Sequence, residues 1–132
     1  MKVGDFRLGE TFDIKFTTID GLGASIALVN GAVAAYPGNS LTEITSGITL
    51  TADFDGLTGL NNLRVVATSA NGYAAGENYV LVLTAGTVDA VSVVGYVVDH
   101  FSIENRTIKS DIRYVNNVAV TGDGSATAWG PA

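Results

Sequence analysis

The segment that decides the fold is Thr11-Phe12-Asp13-Ile14-Lys15-Phe16-Thr17-Thr18. Its apolar residues, Phe12, Ile14 and Phe16, alternate with polar ones. Successive side chains of a β-strand point to opposite faces, so this period of two predicts a strand with one buried face. A turn is predicted directly after it, at the dipeptide Asp20-Gly21.

The same pattern continues to Glu104 and is divided by further turn dipeptides such as Asn30-Gly31 and Asp55-Gly56. We predict strands at residues 11–18, 26–36, 41–46, 48–54, 59–68, 78–84 and 90–104. About seven short strands at this spacing predict an all-β fold, an immunoglobulin-like antiparallel β-sandwich formed by residues 1–105. An α-helix of ordinary length has no place in this pattern.

The inward-facing positions of these strands predict the hydrophobic core. They are Phe12, Ile14, Phe16, Ile48, Leu50, Phe54, Leu63, Val65, Leu81, Val93 and Phe101. The last strand does not keep one phase, because Val94, Tyr96 and Val98 lie on the face opposite to Val93. Two interpretations remain open: both faces of this strand are covered, or the strand bends at Gly95.

Composition narrows the classes of function. The chain has 132 residues, which suits one domain with an ordinary core. It contains no cysteine, so disulfides, thiolate metal sites and cysteine nucleophiles are excluded. Thirteen acidic residues against seven basic ones give a net charge of −6, and the cations are scattered. We therefore expect no direct binding of nucleic acid.

The mean hydropathy of +0.32 is high for a soluble monomer. It predicts either insertion into a membrane or burial of further surface against other copies or partners. Residues 79–98 are long enough to span a bilayer, but Asp89 lies in their middle, and Gly86 and Gly95 interrupt them. We therefore predict a buried hairpin there and no membrane insertion. The N-terminal residues also lack the apolar segment of a signal peptide.

Residues 106–132 form an extension whose apolar residues follow no single period, so one sandwich cannot bury them all. Apolar surface that is left in water favours association. We predict that the extension is an assembly arm that contacts a neighbouring copy or another protein, with Trp129 as its main anchor. The predicted partner-binding residues are Ile112, Tyr114, Val118, Val120 and Trp129.

Several phrases at strand ends and turns resemble a recurrent module of tailed-bacteriophage structural proteins. They are Val3-Gly4-Asp5-Phe6-Arg7-Leu8-Gly9, Asp53-Phe54-Asp55-Gly56-Leu57-Thr58-Gly59-Leu60, Tyr73-Ala74-Ala75-Gly76-Glu77-Asn78-Tyr79, Gly86-Thr87-Val88-Asp89-Ala90-Val91-Ser92-Val93-Val94-Gly95 and Phe101-Ser102-Ile103-Glu104-Asn105-Arg106. That module is similar in layout to the immunoglobulin-like N-terminal domain of phage baseplate upper proteins, where it attaches the chain to the virion. Residues 116–125 also resemble linker repeats of phage fibre and collar proteins.

The resemblance implies a non-enzymatic virion structural protein that needs no cofactor and is assembled in the bacterial cytoplasm. The chain stops without a long shaft or a receptor-binding head, so we expect a decoration, collar, tail or baseplate adaptor subunit. Its expected partners are other virion proteins and further copies of itself in a homo-oligomer. The alternative is a carbohydrate-binding or adhesin module, in which Tyr73, inside a Gly-rich loop, contacts the glycan.

Three further motifs carry weak chemical signals. Asp53-x-Asp55-Gly56 contains carboxylates of the kind that calcium binds, but the following residues lack the other ligands, so we interpret it as a turn. His100 would need an orienting carboxylate for a nucleophile triad, and its strand neighbour Asp99 points to the opposite face. Gly21-Leu22-Gly23 lacks the third glycine of a dinucleotide-binding loop. We therefore predict no catalytic, cofactor-binding or metal-binding residues.

Overall fold

The structure is a computed structural model and describes residues 2–105. Within these residues, eight strands form two sheets. The strands are β1 (Lys2–Phe6), β2 (Thr11–Thr17), β3 (Leu28–Pro37), β4 (Ile48–Thr51), β5 (Leu60–Val66), β6 (Glu77–Val88), β7 (Val91–Ser92) and β8 (Val97–Ile103). Two single 3₁₀ turns lie at Phe54–Gly56 and Ser69–Asn71, and the described part contains no α-helix. The prediction of an all-β fold is confirmed.

The strands are distributed between the sheets in an order that differs from their order in the chain. The first sheet has the order β1-β8-β6-β3, and the short β7 pairs with the end of β6. The second sheet has the order β2-β5-β4. β1 runs parallel to β8, whereas the other strand pairs among the described residues are antiparallel. The chain therefore passes repeatedly from one sheet to the other.

The core lies between the two sheets and is built from alternate residues of the facing strands. On the second sheet, Phe12 pairs with Val65 and Ile14 pairs with Leu63, and all four side chains are buried. Of the eleven predicted core residues, six are buried: Phe12, Ile14, Leu63, Val65, Leu81 and Phe101. Four others pack against this cluster with part of their surface exposed: Phe16, Ile48, Leu50 and Val93. The period-two prediction of the core is thus confirmed for these positions.

The core prediction is wrong for Phe54. β4 ends before it, because Asp53 and Asp55 adopt left-handed φ angles of 50° and 58° and turn the chain away from the sheet. The Asp53 carboxylate accepts a hydrogen bond from the N–H of Gly59 at 2.9 Å, which closes the turn. The Phe54 ring lies outside the core, with the Lys15 ammonium 4.4 Å from its centroid. The interpretation of this motif as a turn is therefore correct.

Two strand boundaries also differ from the prediction. Residues 41–46 form no strand and contribute only the single bridge between Ile44 and Ala35. The predicted strand at residues 90–104 is divided into β7 and β8 by a turn in which Gly95 has a φ of 93°. The bend at Gly95 is therefore the correct one of the two interpretations.

Residues 79–98, which we predict as a buried hairpin, form most of β6, all of β7 and the first residues of β8. The hairpin between β6 and β7 is confirmed. The prediction of burial is wrong for Val91, Tyr96 and Val97, which are more than half exposed. β6 pairs antiparallel with β7, through Thr87 with Ser92, and with β8, through Leu81 with Asp99, in addition to its pairing with β3. Within residues 2–105, no helix has the length and apolar character needed to cross a membrane.

Replacing Phe101 by Ala should destabilise the domain strongly. Its fully buried ring contacts the rings of Phe6, Phe12 and Tyr79. Loss of a buried aromatic side chain costs about 3–5 kcal/mol, a large share of the ~5–15 kcal/mol that stabilises a typical domain. Urea unfolding should show this loss for Phe101→Ala, whereas Phe54→Ala, outside the core, should cost less than about 1 kcal/mol. Equal unfolding midpoints for the two variants would contradict the core assignment.

Candidate binding cleft

An open cleft of about 410 Å³ lies between the two sheets at one end of the domain. Its size falls within the roughly 300–1,000 Å³ that is usual for ligand sites. One wall is formed by residues 17–21, at the end of β2 and in the following turn. The other wall consists of the second half of β6, β7 and the turn before β8, with the apolar residues Leu83, Val88, Val91, Val93 and Tyr96. We call this surface the end cleft.

The β2 wall is held by a compact turn. The Asp20 carboxylate accepts hydrogen bonds from the N–H groups of Leu22 and Ala24 at 2.8 and 3.0 Å. Asp stabilises turns in this way because its short side chain reaches the backbone two to four residues further on. The Thr18 hydroxyl donates to the Ile26 carbonyl at 2.6 Å, and the Thr18 N–H donates to the Gly59 carbonyl at 3.0 Å. The wall is therefore fixed to its neighbours on both sides.

The second wall is a hairpin between β6 and β7. Asp89 and Ala90 connect these strands with φ angles of 51° and 65°. A two-residue type I′ hairpin turn needs positive φ at both central positions, and Asp is among the residues that tolerate it. The chain turns again at Gly95, whose N–H donates to the Leu83 carbonyl at 2.8 Å. This second turn brings Tyr96 into the lining of the end cleft.

Apolar side chains at the end cleft face solvent. Val91, Tyr96 and Ile19 are 65%, 58% and 54% exposed although they line the cleft. Val94, in the same turn as Tyr96, and Val97, the first residue of β8, are exposed as well. Exposed apolar residues that cluster in this way mark an interaction surface. The end cleft is therefore the candidate binding site of the described domain.

The charged side chains that line the end cleft are both acidic. Asp20 belongs to the β2 wall, and Asp89 belongs to the hairpin turn. Carboxylates favour a ligand that brings positive charge or hydrogen-bond donors, and they repel an anion. The lining thus suits a ligand with an apolar body and a donor group.

Tyr73, the glycan contact expected under the alternative carbohydrate-binding role, does not lie at the surface. A 3₁₀ turn at Ser69–Asn71 and a left-handed Gly72, with φ of 101°, fold its loop inward. The side chain is 2% exposed, and its ring packs edge-on against Tyr79 with the centroids 5.2 Å apart. Burial, and to a smaller extent repulsion from Tyr79, raises the pKa of Tyr73 to about 12. A buried ring offers no face to a sugar, so the structure corrects the prediction at this residue.

The remaining sequence candidates do not converge on one site. The Asp99 carboxylate accepts a hydrogen bond from the backbone N–H of His100 at 2.8 Å, and the two residues are adjacent on β8. Among residues 2–105, no three His, Cys, Asp or Glu side chains cluster as metal ligands would. The predicted partner-binding residues Ile112, Tyr114, Val118, Val120 and Trp129 lie outside the described residues.

The end cleft itself was not predicted from the sequence. Val93, assigned there to the core, lies at the margin of the core and lines the cleft. The sequence feature that points to the cleft is the irregular alternation of residues 90–104, where apolar side chains occupy both faces of the predicted strand. When only one face of such a segment packs on the opposite sheet, the apolar residues of the other face stay exposed.

Comparisons of the chain with protein-family models, with curated proteins and with solved structures give no match. The properties of the end cleft are its apolar lining, its two carboxylates and its open access from solvent.

Removing the hydroxyl of Tyr73 should not destabilise the domain. This hydroxyl is buried and has no hydrogen-bond partner among the described residues, whereas the Tyr79 hydroxyl accepts from the Ala74 N–H at 2.8 Å. Loss of an unpaired buried hydroxyl removes the desolvation penalty of that group, whereas loss of a hydrogen-bonded hydroxyl lowers the folding stability by about 0.5–1.5 kcal/mol. The free energy of unfolding in urea should be unchanged or higher for Tyr73→Phe and lower for Tyr79→Phe. The reverse order would show that the Tyr73 hydroxyl is paired.

The stability of the domain should fall at alkaline pH through Tyr73. Its pKa is raised from the usual 10.0 to about 12 in the folded state. The unfolded chain therefore loses this proton first, and stability that is fully present below pH 10.0 is lost as the pH rises to about 12. This difference in pKa corresponds to a loss of roughly 2–3 kcal/mol in the free energy of unfolding. Urea unfolding across this range should show a steeper decline for the wild type than for Tyr73→Phe, and parallel profiles would contradict the assignment.

Proposed function

We propose that residues 2–105 form an immunoglobulin-like sandwich. In such a domain the strands B, E and D share one sheet, and C, F and G share the other. When the strands are lettered in chain order without the short β7, β2, β5 and β4 become B, E and D. β3, β6 and β8 then become C, F and G, with β1 added beside β8. This order of strands supports the assignment.

We further propose that the protein is a non-enzymatic bacteriophage virion structural protein, a decoration, collar or baseplate/fibre adaptor subunit, that acts through protein–protein assembly. The observation that carries this proposal is the end cleft, where apolar side chains remain exposed beside an otherwise covered core. Surfaces of this kind are typical of protein interfaces. The resemblance of the strand-end phrases to tailed-phage modules supports the virion as the location.

The charge of the domain favours protein partners over nucleic acid. Residues 2–105 carry eleven acidic and four basic side chains, a net charge of −7. The phosphates of a nucleic acid are repelled by such a surface. The partners proposed are therefore other virion proteins and further copies of the chain.

A carbohydrate-binding or adhesin role is the second candidate, and Tyr96 replaces Tyr73 as its central residue. Tyr96 is more than half exposed in the cleft that also contains the carboxylates of Asp20 and Asp89. An exposed ring can stack on a sugar, and carboxylates accept hydrogen bonds from its hydroxyls. Glycan-array binding that disappears in Tyr96→Ala would favour this second role.

Phage particles assembled in the presence of the protein should carry it. In density-gradient fractions of a lysate, the protein should sediment with the particles in a constant ratio to the other virion proteins, as measured by quantitative mass spectrometry. Val91→Lys, which places a charge in the end cleft, should be depleted from particles at least tenfold. Leu41→Lys makes the same change at an exposed loop residue outside the cleft and should be retained. A wild-type protein that stays soluble and leaves the particle fractions empty would reject the virion role.

A further inference from the structure

The end cleft and the exit of the C-terminal extension lie at opposite ends of the domain. β8 begins directly after Tyr96 in the cleft and ends just before Glu104. Its seven residues cover roughly 20–23 Å. At the far end, the Glu104 N–H donates to the Phe6 carbonyl at 2.8 Å, and the Asn105 N–H donates to the Asp5 carboxylate at 2.9 Å. The rest of the chain therefore leaves the domain at the end away from the cleft.

The exit is held by several contacts. Glu104 has a left-handed φ of 44°, which is uncommon for a residue other than glycine. Its carboxylate accepts the N–H of Leu8 at 2.8 Å, and the Ser102 hydroxyl donates to Asp5 at 2.6 Å. Such a backbone conformation persists only where the surrounding structure fixes it. The folded domain thus fixes the position of Glu104 and Asn105, the residues after which the extension begins.

The composition of the extension complements the end cleft. Residues 106–132 carry three basic and two acidic side chains, opposite in net sign to the −7 of residues 2–105. They include Trp129, the only tryptophan of the chain. An indole combines a large apolar surface with one N–H donor. The end cleft offers the matching groups, which are apolar walls and the carboxylates of Asp20 and Asp89.

We propose that the end cleft of one molecule binds the C-terminal extension of a second copy, with Trp129 seated between the β2 wall and the hairpin. The inference rests on the proposed structural role and names its partner as the same chain. To fill its own cleft, the extension would reverse and run back along the length of β8. To reach the cleft of a neighbour that is aligned head to tail, the extension would continue away from its own domain without reversing. Because this junction joins two different surfaces, it is heterologous and repeats into a ring or a filament.

Two variants of the full-length protein, each lacking one half of the junction, test the proposal. Val91→Lys introduces a charge at a well-exposed cleft residue, where a substitution has little effect on folding. Trp129→Ala removes the anchor. In sedimentation velocity the wild type should form oligomers, and each variant alone should need at least a tenfold higher concentration to do so. Mixed in equal amounts, the two variants should form a dimer, because one intact cleft then meets one intact extension.

The fluorescence of Trp129 reports the same junction without a label, since the chain contains no other tryptophan. Its emission should shift to shorter wavelength as the wild type associates, and the shift should be lost in Val91→Lys. Tyr96→Ala, which removes a ring from the cleft without adding charge, should weaken association in the same way. Leu41→Lys, the matched charge control outside the cleft, should behave like the wild type.

Four results would overturn the proposal. The first is association that neither Val91→Lys nor Tyr96→Ala weakens. The second is a monomer whose Trp129 emission is already shifted and loses the shift in Val91→Lys, which places the extension in its own cleft. The third is a wild type that stays monomeric with unshifted emission, and the fourth is a mixture of the two variants that yields no dimer.

The proposed junction and the proposed virion role fail independently. If the mixed variants form no dimer but particles still carry the wild-type protein, the junction is rejected and the virion role stands. If the mixed variants form the dimer but particles lack the wild-type protein, the virion role is rejected and the junction stands.

Discussion

The stacked rings of Phe6 and Phe12 join the two sheets, and the rest of the structure depends on this contact. Phe6 belongs to β1 in the first sheet and Phe12 to β2 in the second, with centroids 3.7 Å apart and planes within 2° of parallel. Phe101 packs edge-on against Phe12 at 5.0 Å, and Tyr79 stacks on Phe101 at 5.2 Å. Large rings contribute most of the apolar surface that a small core can bury. The ring contacts between the sheets therefore lie at the end of the domain where β1 and β8 finish.

The same concentration of rings explains why the opposite end stays open. The ring–ring contacts among residues 2–105 all lie within the group of Phe6, Phe12, Tyr73, Tyr79 and Phe101. At the other end no ring–ring contact joins the sheets among residues 2–105, and a gap of about 410 Å³ remains, lined mainly by aliphatic and threonine side chains together with Tyr96, Asp20 and Asp89. The apolar surface around that gap gains free energy only when something else covers it. The end cleft is thus a consequence of how the core is filled.

The sequence predicted the strands whose period is undisturbed. Residues 11–18 keep strict alternation because one face of β2 lies on the core and the other faces solvent. The prediction failed where the backbone leaves the strand conformation at a residue other than glycine. Asp53, whose φ is 50°, looks in the sequence like an ordinary residue at the end of a strand. The inward position of Tyr73 escaped prediction because its ring packs against both Tyr79 and Phe101, and only the pairing of β6 with β8 brings Phe101 beside them. The end cleft likewise joins residues 17–21 with residues 83–96, and only sheet pairing brings them together.

One end of the domain is closed and the other is open, so the two ends of its strands are not equivalent. This difference limits how copies can associate. Parallel pairing sets the end of β1 beside the end of β8, so Asp5, Phe6 and Glu104 gather at the closed end, where the extension departs. Two molecules that met through their open ends would cover both clefts but leave both extensions without a partner. A head-to-tail contact joins one cleft and one extension at every junction. The aromatic cluster closes one end of the core and leaves the cleft at the other end. The cleft and the exit of the extension, which are the two halves of the proposed junction, therefore lie apart by the length of β8.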